Sequence, residues 1–287
     1  MLAWICTFCA DKSDTGISLC LAHKEDNQEI IQMTSSGNEK QWVRAITRFS
    51  FNRLYPHVKK GAHHRWLDDE IMNGFFQMAR SLDIEISLES KTQPSYFGNL
   101  LICNKLSDTN PHENGNDFAD TAKKYIYSAL CDNKKTRWSN IYQMPACRFF
   151  FAFNMNNNHY VRLTFYPDKN LIILYNPFLT EAGWVLAVKL RDWLTIELRK
   201  HEETGKEVSP CRIECRKMAF PLQRNNDDCG VFILASLLCE ITNTPEIFSQ
   251  IDMTKLRHLM VGSFIEKKID VSNLIFYILI NTVLMVL

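Results

Sequence analysis

The chain carries, at residues 221–239, the stretch PLQRNNDDCGVFILASLLC, in which a polar loop passes directly into an apolar segment. The apolar run from Val231 is typical of a buried helix, and Cys229 then falls in its first turn. A helix N-terminus presents unpaired N–H groups and a partial positive charge, which favour thiolate over thiol. Cysteine is also often buried as a small hydrophobe, and the chain has ten cysteines. The polar approach and the adjacent Gly230 distinguish Cys229 as a candidate nucleophile.

A partner histidine is predicted on a β-hairpin upstream of that stretch. Residues 158–166 and 171–178 are rich in β-branched and aromatic side chains, and the PDKN segment between them is typical of a turn. A turn centred on residues 168 and 169 pairs Val161 with Asn176, and places His159 two positions further on the same face. The hairpin therefore predicts that His159 lies beside Asn176, as a base next to the group that orients it.

Four motifs follow one another along the chain. Residues 66–72 read WLDDEIM, residues 158–166 read NHYVRLTFY, residues 223–230 read QRNNDDCG, and a further helix is expected from residue 248 to about residue 268. In this order they resemble the ubiquitin-like-protein-specific cysteine proteases, the family of SUMO proteases, and more distantly the adenovirus protease. The likeness covers roughly residues 42–269, and four motifs in order are far more specific than any one alone.

The resemblance implies an α+β, papain-like cysteine protease fold, with helices packed on a central mixed sheet and the catalytic cysteine at a helix N-terminus. It implies that Cys229 is the nucleophile, His159 the base and Asn176 the orienting group. Gln223, six residues before the cysteine, corresponds to the family's oxyanion donor. The implied activity is cleavage after the C-terminal Gly-Gly of a ubiquitin-like modifier, in deconjugation or precursor processing.

The resemblance also implies substrate-binding positions. Trp66 and Tyr160 match the aromatics that clamp the glycine tail of a modifier, and Asp69 matches the acidic position of the first motif. Two positions depart from the family pattern: Asn176 stands where Asp is usual, and Tyr160 where Trp is usual. Asparagine still accepts a hydrogen bond from an imidazole N–H, but it cannot stabilise imidazolium by charge.

Two other functional classes remain open. The chain could be a weak or inactive domain that still binds a modifier, as Asn176 suggests, although an intact nucleophile and base argue against this. It could also be an acyltransferase that uses the same Cys–His chemistry on another acyl donor, since fold and catalytic groups do not fix the reaction. The aromatic slot at Trp66 and Tyr160 favours the protease, because an acetyl donor does not need a Gly-Gly clamp.

The scaffold around these motifs is also predicted. Asp68 is expected to cap a helix whose apolar positions, among them Ile71 and Phe75, recur at helical spacing. A strand beside the histidine strand is expected over residues 148–153, and a helix on the face of the sheet over residues 184–200.

Residues 1–41 are predicted to form an N-terminal extension before the catalytic domain of residues 42–269. Four residues in it have the ligand types and spacing of a small zinc knuckle: Cys6, Cys9, Cys20 and His23. The same pattern also arises easily by chance in a chain with ten cysteines. Zinc binding therefore stays open for the extension, and no metal is assigned to the catalytic site.

Residues 270–287 are predicted to form an apolar tail. From residue 274 to the last residue only Asn281 and Thr282 are clearly polar, and this segment is shorter than the ~20 residues that a bilayer span needs. A marginal membrane anchor, a packed terminal helix and a segment foreign to the domain all remain open.

The composition agrees with an ordinary soluble enzyme, and no cofactor is expected. The 287 residues are 46% hydrophobic and 11% aromatic, which suffices for one large core. A net charge of +1 gives no electrostatic footprint for a nucleic-acid partner. Asp11, Lys12 and Asp14 interrupt the apolar start, so no secretory signal is expected. Reduced thiols fit the nucleus or cytoplasm better than a disulfide framework would.

Overall fold

The computed structural model describes residues 28–33, 45–55, 66–98, 141–143, 146–155, 158–178, 180–181, 183–202, 214–217, 221–270 and 272. Within these residues the chain order is β1 (Glu29–Gln32), β2 (Ala45–Thr47), α1 (Arg48–Asn52), α2 (Asp69–Ser90), β3 (Tyr96–Phe97), β4 (Phe149–Met155), β5 (His159–Tyr166), β6 (Leu171–Tyr175), α3 (Trp184–Glu202), β7 (Glu214–Lys217), α4 (Cys229–Ile241) and α5 (Met253–Glu266). The chain divides into two compact units, which we call the cysteine unit (Met1–Leu82 with Pro221–Leu287) and the sheet unit (Asp83–Phe220).

The sheet unit contains a five-stranded mixed sheet in the order β3-β4-β5-β6-β7. The two outer pairs are parallel, while β4-β5 and β5-β6 are antiparallel. Along β5-β6, Arg162 pairs with Tyr175 and Tyr166 pairs with Leu171, which is the register that the sequence predicted. A 3-10 turn over Pro167–Lys169 closes the hairpin, and Asn170 follows it at φ 47°, a left-handed conformation that asparagine tolerates.

The core of the sheet unit lies between one face of the sheet and α3. Alternate residues of a strand point to the same face, so the apolar side chains of β4, β5 and β6 meet the apolar side of the helix. The buried residues of this core include Phe149, Phe151, Phe153, Val161, Leu163, Phe165, Ile172, Leu174, Leu190 and Trp193. The predicted strand over residues 148–153 and the predicted helix over residues 184–200 are therefore confirmed.

Gly183 lets the chain pass close to the sheet just before α3 begins. Its φ is +81°, and an added Cβ would lie 3.0 Å from side-chain carbons of Val161 and Leu174. Glycine is needed there for both reasons, since other residues rarely adopt that φ and no space exists for a side chain.

The cysteine unit is built around α4. All of its residues except Glu240 are buried, as expected for a helix that is hydrophobic on every side. The Asp68 side chain accepts a hydrogen bond from the Ile71 N–H at 3.1 Å and so caps α2, as predicted. Burial raises the pKa of Asp68, while the hydrogen bond from Ile71 opposes that effect. The unit also contains α1, α5 and a small antiparallel pair of β1 with β2.

The β1 strand precedes residue 41, and β2 follows it, so the pair spans the predicted boundary between the extension and the catalytic domain. The proposed zinc ligands Cys6, Cys9, Cys20 and His23 lie outside the described residues, as does the tail from residue 274 onward. In the part of the chain that the structure does describe, no helix combines the length and apolar character needed to cross a membrane.

Candidate active site

Cys229 is the first residue of α4, and it is present as a thiol that is only 3% exposed. This confirms the predicted position at a helix N-terminus. Asp228 occupies the N-cap position, yet its side chain makes no capping hydrogen bond to the helix. Its carboxylate is used by other partners, so it does not compete for the first-turn N–H groups. The partial positive charge of the helix end therefore stays directed at the cysteine.

Gly230 allows the first turn of α4 to approach the segment that follows Trp66. A Cβ at this position would lie 3.2 Å from Cβ and Cδ1 of Leu67 and 3.2 Å from Sδ of Met72. These contacts are tighter than ordinary van der Waals packing, and Leu67 Cβ is fixed to the backbone. The absence of a side chain at Gly230 thus allows the first turn of α4 to pack directly on Leu67, the residue that follows Trp66.

Gly230→Ala is expected to lower the free energy of unfolding by about 1–3 kcal/mol, the usual cost of overpacking a filled core. Gly262→Ala is the matched control, because a Cβ there meets nothing within 4 Å and the position is inside α5. The control should gain roughly 0.5–1 kcal/mol, as an alanine does in a helix interior. Urea unfolding of both variants measures the difference, and equal free energies would show that the cysteine turn is not tightly packed.

Gln223 lies buried in the loop before α4. Its Nε2 donates to the Asn225 backbone oxygen at 2.6 Å and to Asn225 Oδ1 at 3.1 Å. Its Oε1 is buried and has no hydrogen-bond partner among the described residues. The amide nitrogen of Gln223 therefore faces the loop that leads to Cys229, within the same short turn.

His159 and Asn176 lie side by side in the sheet unit, as the hairpin register predicted. His159 Nε2 is 2.8 Å from Asn176 Oδ1. The orientation of the amide follows from its neighbours: the Phe178 N–H donates to Oδ1 at 3.0 Å, while Nδ2 donates to the Thr180 carbonyl oxygen at 3.2 Å. Oδ1 can only accept a hydrogen bond, so the neutral histidine must carry its proton on Nε2.

The other ring nitrogen of His159 is then the basic one. Nδ1 is buried and makes no hydrogen bond to any residue that the structure describes. Burial lowers the pKa of His159 below its ordinary value of 6.5, and the hydrogen bond to Asn176 acts in the opposite direction. The imidazole is therefore held neutral near pH 7, in the tautomer whose Nδ1 lone pair can accept a proton.

Two residues that the sequence did not single out complete this arrangement. The Phe178 ring packs on the His159 ring with centroids 4.8 Å apart, and its N–H holds the Asn176 amide. Thr180 accepts from Asn176 through both its carbonyl oxygen and its hydroxyl, each at 3.2 Å. Their position just after Asn176 in the sequence could have identified them, because a tight bend at the end of a strand brings the following residues close to the last residues of that strand.

The remaining predicted residues have different surroundings. Trp66 is half-buried just before α2, and its carbonyl oxygen accepts a hydrogen bond from Arg53 Nη1 at 2.8 Å. Asp69 is the half-buried first residue of α2. Tyr160 is 3% exposed and points to the sheet face opposite His159, where its hydroxyl accepts from Asn154 Nδ2 at 3.3 Å.

A family profile and several solved structures that resemble this chain all point to the same protein family. The profile described as "Ulp1 protease family, C-terminal catalytic domain" matches residues 65–269. Among solved structures, the SUMO protease Ulp1 with its catalytic cysteine oxidised to a sulfonic acid is 18% identical, with a TM-score of 0.57 over 88% of this chain and 93% of that chain. The Ulp1 protease domain in complex with Smt3, the yeast ortholog of SUMO, is 19% identical, with a TM-score of 0.57 over 86% and 91%.

The Ulp1-like SUMO protease catalytic domain of Chaetomium thermophilum is 12% identical, with a TM-score of 0.57 over 86% of this chain and 95% of that chain. These structures share the α+β protease fold. A search of curated protein sequences gives no significant match. The family profile covers most of the chain, so the protein belongs to the Ulp1 protease family, which is a family of cysteine proteases.

Proposed function

We propose that this protein cleaves after the C-terminal Gly-Gly of a ubiquitin-like modifier, with Cys229 as nucleophile and His159 as base. The observation that carries the proposal is the His159–Asn176 pair, whose amide is held by Phe178 and Thr180. This pair determines which ring nitrogen is the base. Membership of a cysteine protease family and the position of Cys229 at a helix N-terminus support the assignment of Cys229 as the nucleophile.

The reaction follows from these roles. His159 Nδ1 takes the proton of the Cys229 thiol, and the thiolate attacks the carbonyl carbon of the terminal glycine. The tetrahedral intermediate collapses, and the leaving amine takes the proton from imidazolium. A water molecule then gives a proton to His159 and attacks the thioester, which releases the modifier as a carboxylate and restores the thiol.

Gln223 is proposed to stabilise the oxyanion of the intermediate. Its Nε2 carries two hydrogens, and in the structure it donates to Asn225 at two acceptors. The two N–H bonds of an amide are rigid relative to each other, so the whole Gln223 side chain would rotate away from Asn225 to present an N–H to the developing oxyanion. The N–H of Cys229 is proposed as the second donor, as in other acyl-transfer sites at helix N-termini.

The substrate class is proposed from Trp66, Tyr160 and Asp69, which match the tail-binding positions of the family; Trp66 carries most of this argument, because Tyr160 is buried on the sheet face opposite His159. An aromatic slot admits only glycine next to the scissile bond, which suits the Gly-Gly end of SUMO or a related modifier. The solved Ulp1 domain that is bound to Smt3 supports this class of partner. The catalytic domain is proposed to span residues 42–269, and the family profile ends at the same residue.

A panel of ubiquitin-like modifiers with C-terminal electrophiles tests the proposal. A peptidase forms a covalent adduct at Cys229 and also hydrolyses the matching modifier–aminocoumarin substrate. An inactive binding domain retains the modifier without turnover, and an acyltransferase reacts with an acyl donor such as an acetyl thioester instead. Absence of any adduct across the panel would refute the proposed substrate class.

Trp66→Ala is expected to raise KM and lower kcat for a Gly-Gly substrate, each by roughly tenfold, because the slot both binds the tail and aligns the scissile carbonyl. Tyr166→Ala is a suitable control, since it removes a half-buried aromatic at the opposite end of β5 from His159. Steady-state kinetics on a modifier–aminocoumarin substrate measures both. Unchanged constants for the Trp66 variant would remove the case for a tail-specific slot.

A further inference from the structure

Arg257 is a buried arginine on α5 whose hydrogen bonds converge on the turn before the nucleophile. It is only 2% exposed, and its Nε and Nη2 donate to Asp228 Oδ1 at 2.9 and 2.7 Å. Nη2 also donates to the Asp227 carbonyl oxygen at 3.1 Å. One guanidinium therefore binds the side chain of Asp228 and the backbone of Asp227, the two residues that precede Cys229.

The second oxygen of Asp228 is also occupied. Its Oδ2 accepts from Asn225 Nδ2 at 2.6 Å and from Gln250 Nε2 at 2.7 Å. The same Asn225 receives the amide of Gln223. Arg257 thus fixes, through Asp228 and Asn225, the loop that carries both the proposed nucleophile and the proposed oxyanion donor.

A second arginine continues the network toward the tail-binding segment. The remaining Arg257 nitrogen, Nη1, donates to the Arg53 carbonyl oxygen at 2.7 Å. The Arg53 side chain donates through Nη1 to the Trp66 carbonyl oxygen at 2.8 Å, and its Nε lies 3.1 Å from Asp68 Oδ2. The two arginines join the Cys229 turn to the Trp66 segment by direct contacts within the cysteine unit.

We propose that Arg257 and Arg53 are a pair of positioning residues, which we call the brace. Arg257 holds the Cys229 turn (residues 227–229) in place, and Arg53 holds the Trp66 segment (residues 66–68) in place relative to that turn. The inference rests on the proposed function, which assigns these two segments to the nucleophile and to the substrate tail. Peptide hydrolysis requires the scissile carbonyl to be held next to the sulfur with a positional tolerance of about 0.5 Å. The relative position of the two segments therefore affects the rate of the reaction.

The charge of Arg257 has a separate effect on the nucleophile. Asp228 is buried and directly precedes Cys229, and a negative charge near a thiol disfavours its ionisation to thiolate. The guanidinium compensates that carboxylate with a two-nitrogen contact. Other charged side chains also lie on the segments that the two arginines join: Arg53, Asp68, Asp69, Glu70, Arg224 and Asp227.

Kinetics separate the two arms of the brace. Arg257→Met is expected to lower kcat on a modifier–aminocoumarin substrate by about tenfold, as loss of a residue that orients a reacting group does. Arg53→Met is expected to raise KM by about fivefold, with alkylation of Cys229 by iodoacetamide within about twofold of the parent, because only the tail segment moves. Mass spectrometry of the peptide that contains Cys229 measures the alkylation rate.

The rate of Cys229 alkylation tests separately whether Arg257 compensates the charge of Asp228. Arg257→Met leaves the Asp228 carboxylate without its cation, so alkylation of Cys229 should slow by about fivefold. Adding Asp228→Asn removes the uncompensated charge and should restore the rate to within about twofold of the parent. A purely structural role of the ion pair would not give this recovery. Arg257→Lys keeps the charge without the fork, so it should alkylate like the parent while losing part of kcat.

Arg148→Met is the matched control, since it breaks another ion pair with a buried aspartate, Asp83, at 3.2 Å in the sheet unit. It should lower the melting temperature without changing kcat or the alkylation rate. The brace is wrong if Arg257→Met loses no more kcat than this control, or if the double variant alkylates as slowly as Arg257→Met. If the parent hydrolyses no modifier substrate, the proposed function fails, and the alkylation rates still decide the Arg257 arm.

Discussion

Cys229→Ala is expected to abolish peptide hydrolysis completely while leaving affinity for the modifier within about threefold, because it removes the nucleophile and very little buried volume. Cysteine proteases that lose the sulfur have no group to form the acyl-enzyme, and the neighbouring side chains cannot take over that role. Hydrolysis of a modifier–aminocoumarin substrate and binding by calorimetry measure the two quantities separately.

Cys239→Ala is the matched control for that variant. Cys239 lies on the same helix, is buried to the same degree, and is ten residues further along, so the same atom is removed from the same core. It should retain full activity with a small loss of stability. Turnover retained in Cys229→Ala, or lost equally in both variants, would show that the nucleophile has been assigned to the wrong cysteine.

Asn176→Ala is expected to lower kcat by roughly ten- to hundredfold, as loss of the group that orients a reacting imidazole does. Alanine removes the acceptor on His159 Nε2, so the ring is free to turn and to adopt the other tautomer. Phe178 still packs on the ring and limits its movement, which keeps the loss below that of the nucleophile. A variant as fast as the parent would place Asn176 outside the catalytic machinery.

Asn176→Asp tests the neutral character of the orienting group. Burial lowers the pKa of His159 in the parent, and a carboxylate at the amide's position would raise it, because a nearby negative charge favours imidazolium. The alkaline limb of the pH–rate profile, where the imidazolium of the thiolate–imidazolium pair is lost, should therefore move to higher pH. The value of kcat at its optimum should be held or improved.

Asn158→Asp controls for charge alone. It adds the same negative charge next to His159 in sequence, but on an exposed side chain where solvent and salt screen it. Its alkaline limb should stay within a few tenths of a pH unit of the parent. An equal shift in the two variants would mean that the effect of Asn176→Asp does not act through its contact with the histidine.

The sequence by itself determined the local elements and their chemistry. The apolar run after Cys229 predicted a buried helix, and its polar approach placed the thiol at the N-terminus of that helix. The PDKN turn determined the hairpin register, because a two-stranded antiparallel pair has period-two faces and its turn length sets which residues meet. The pairing of His159 with Asn176 follows from that register alone, and it could be predicted without any tertiary information.

Only the tertiary structure decided which distant residues support the site. Arg257 is 28 positions beyond Cys229 and belongs to another helix, and nothing in its local pattern distinguishes it from a solvated arginine. Its role depends on how α5 packs in the cysteine unit, where its guanidinium meets Asp228 and the Arg53 carbonyl oxygen. Local periodicity specifies faces and turns, whereas contacts between separate elements depend on the packing of the whole unit, so these buried partners became visible only in the folded chain.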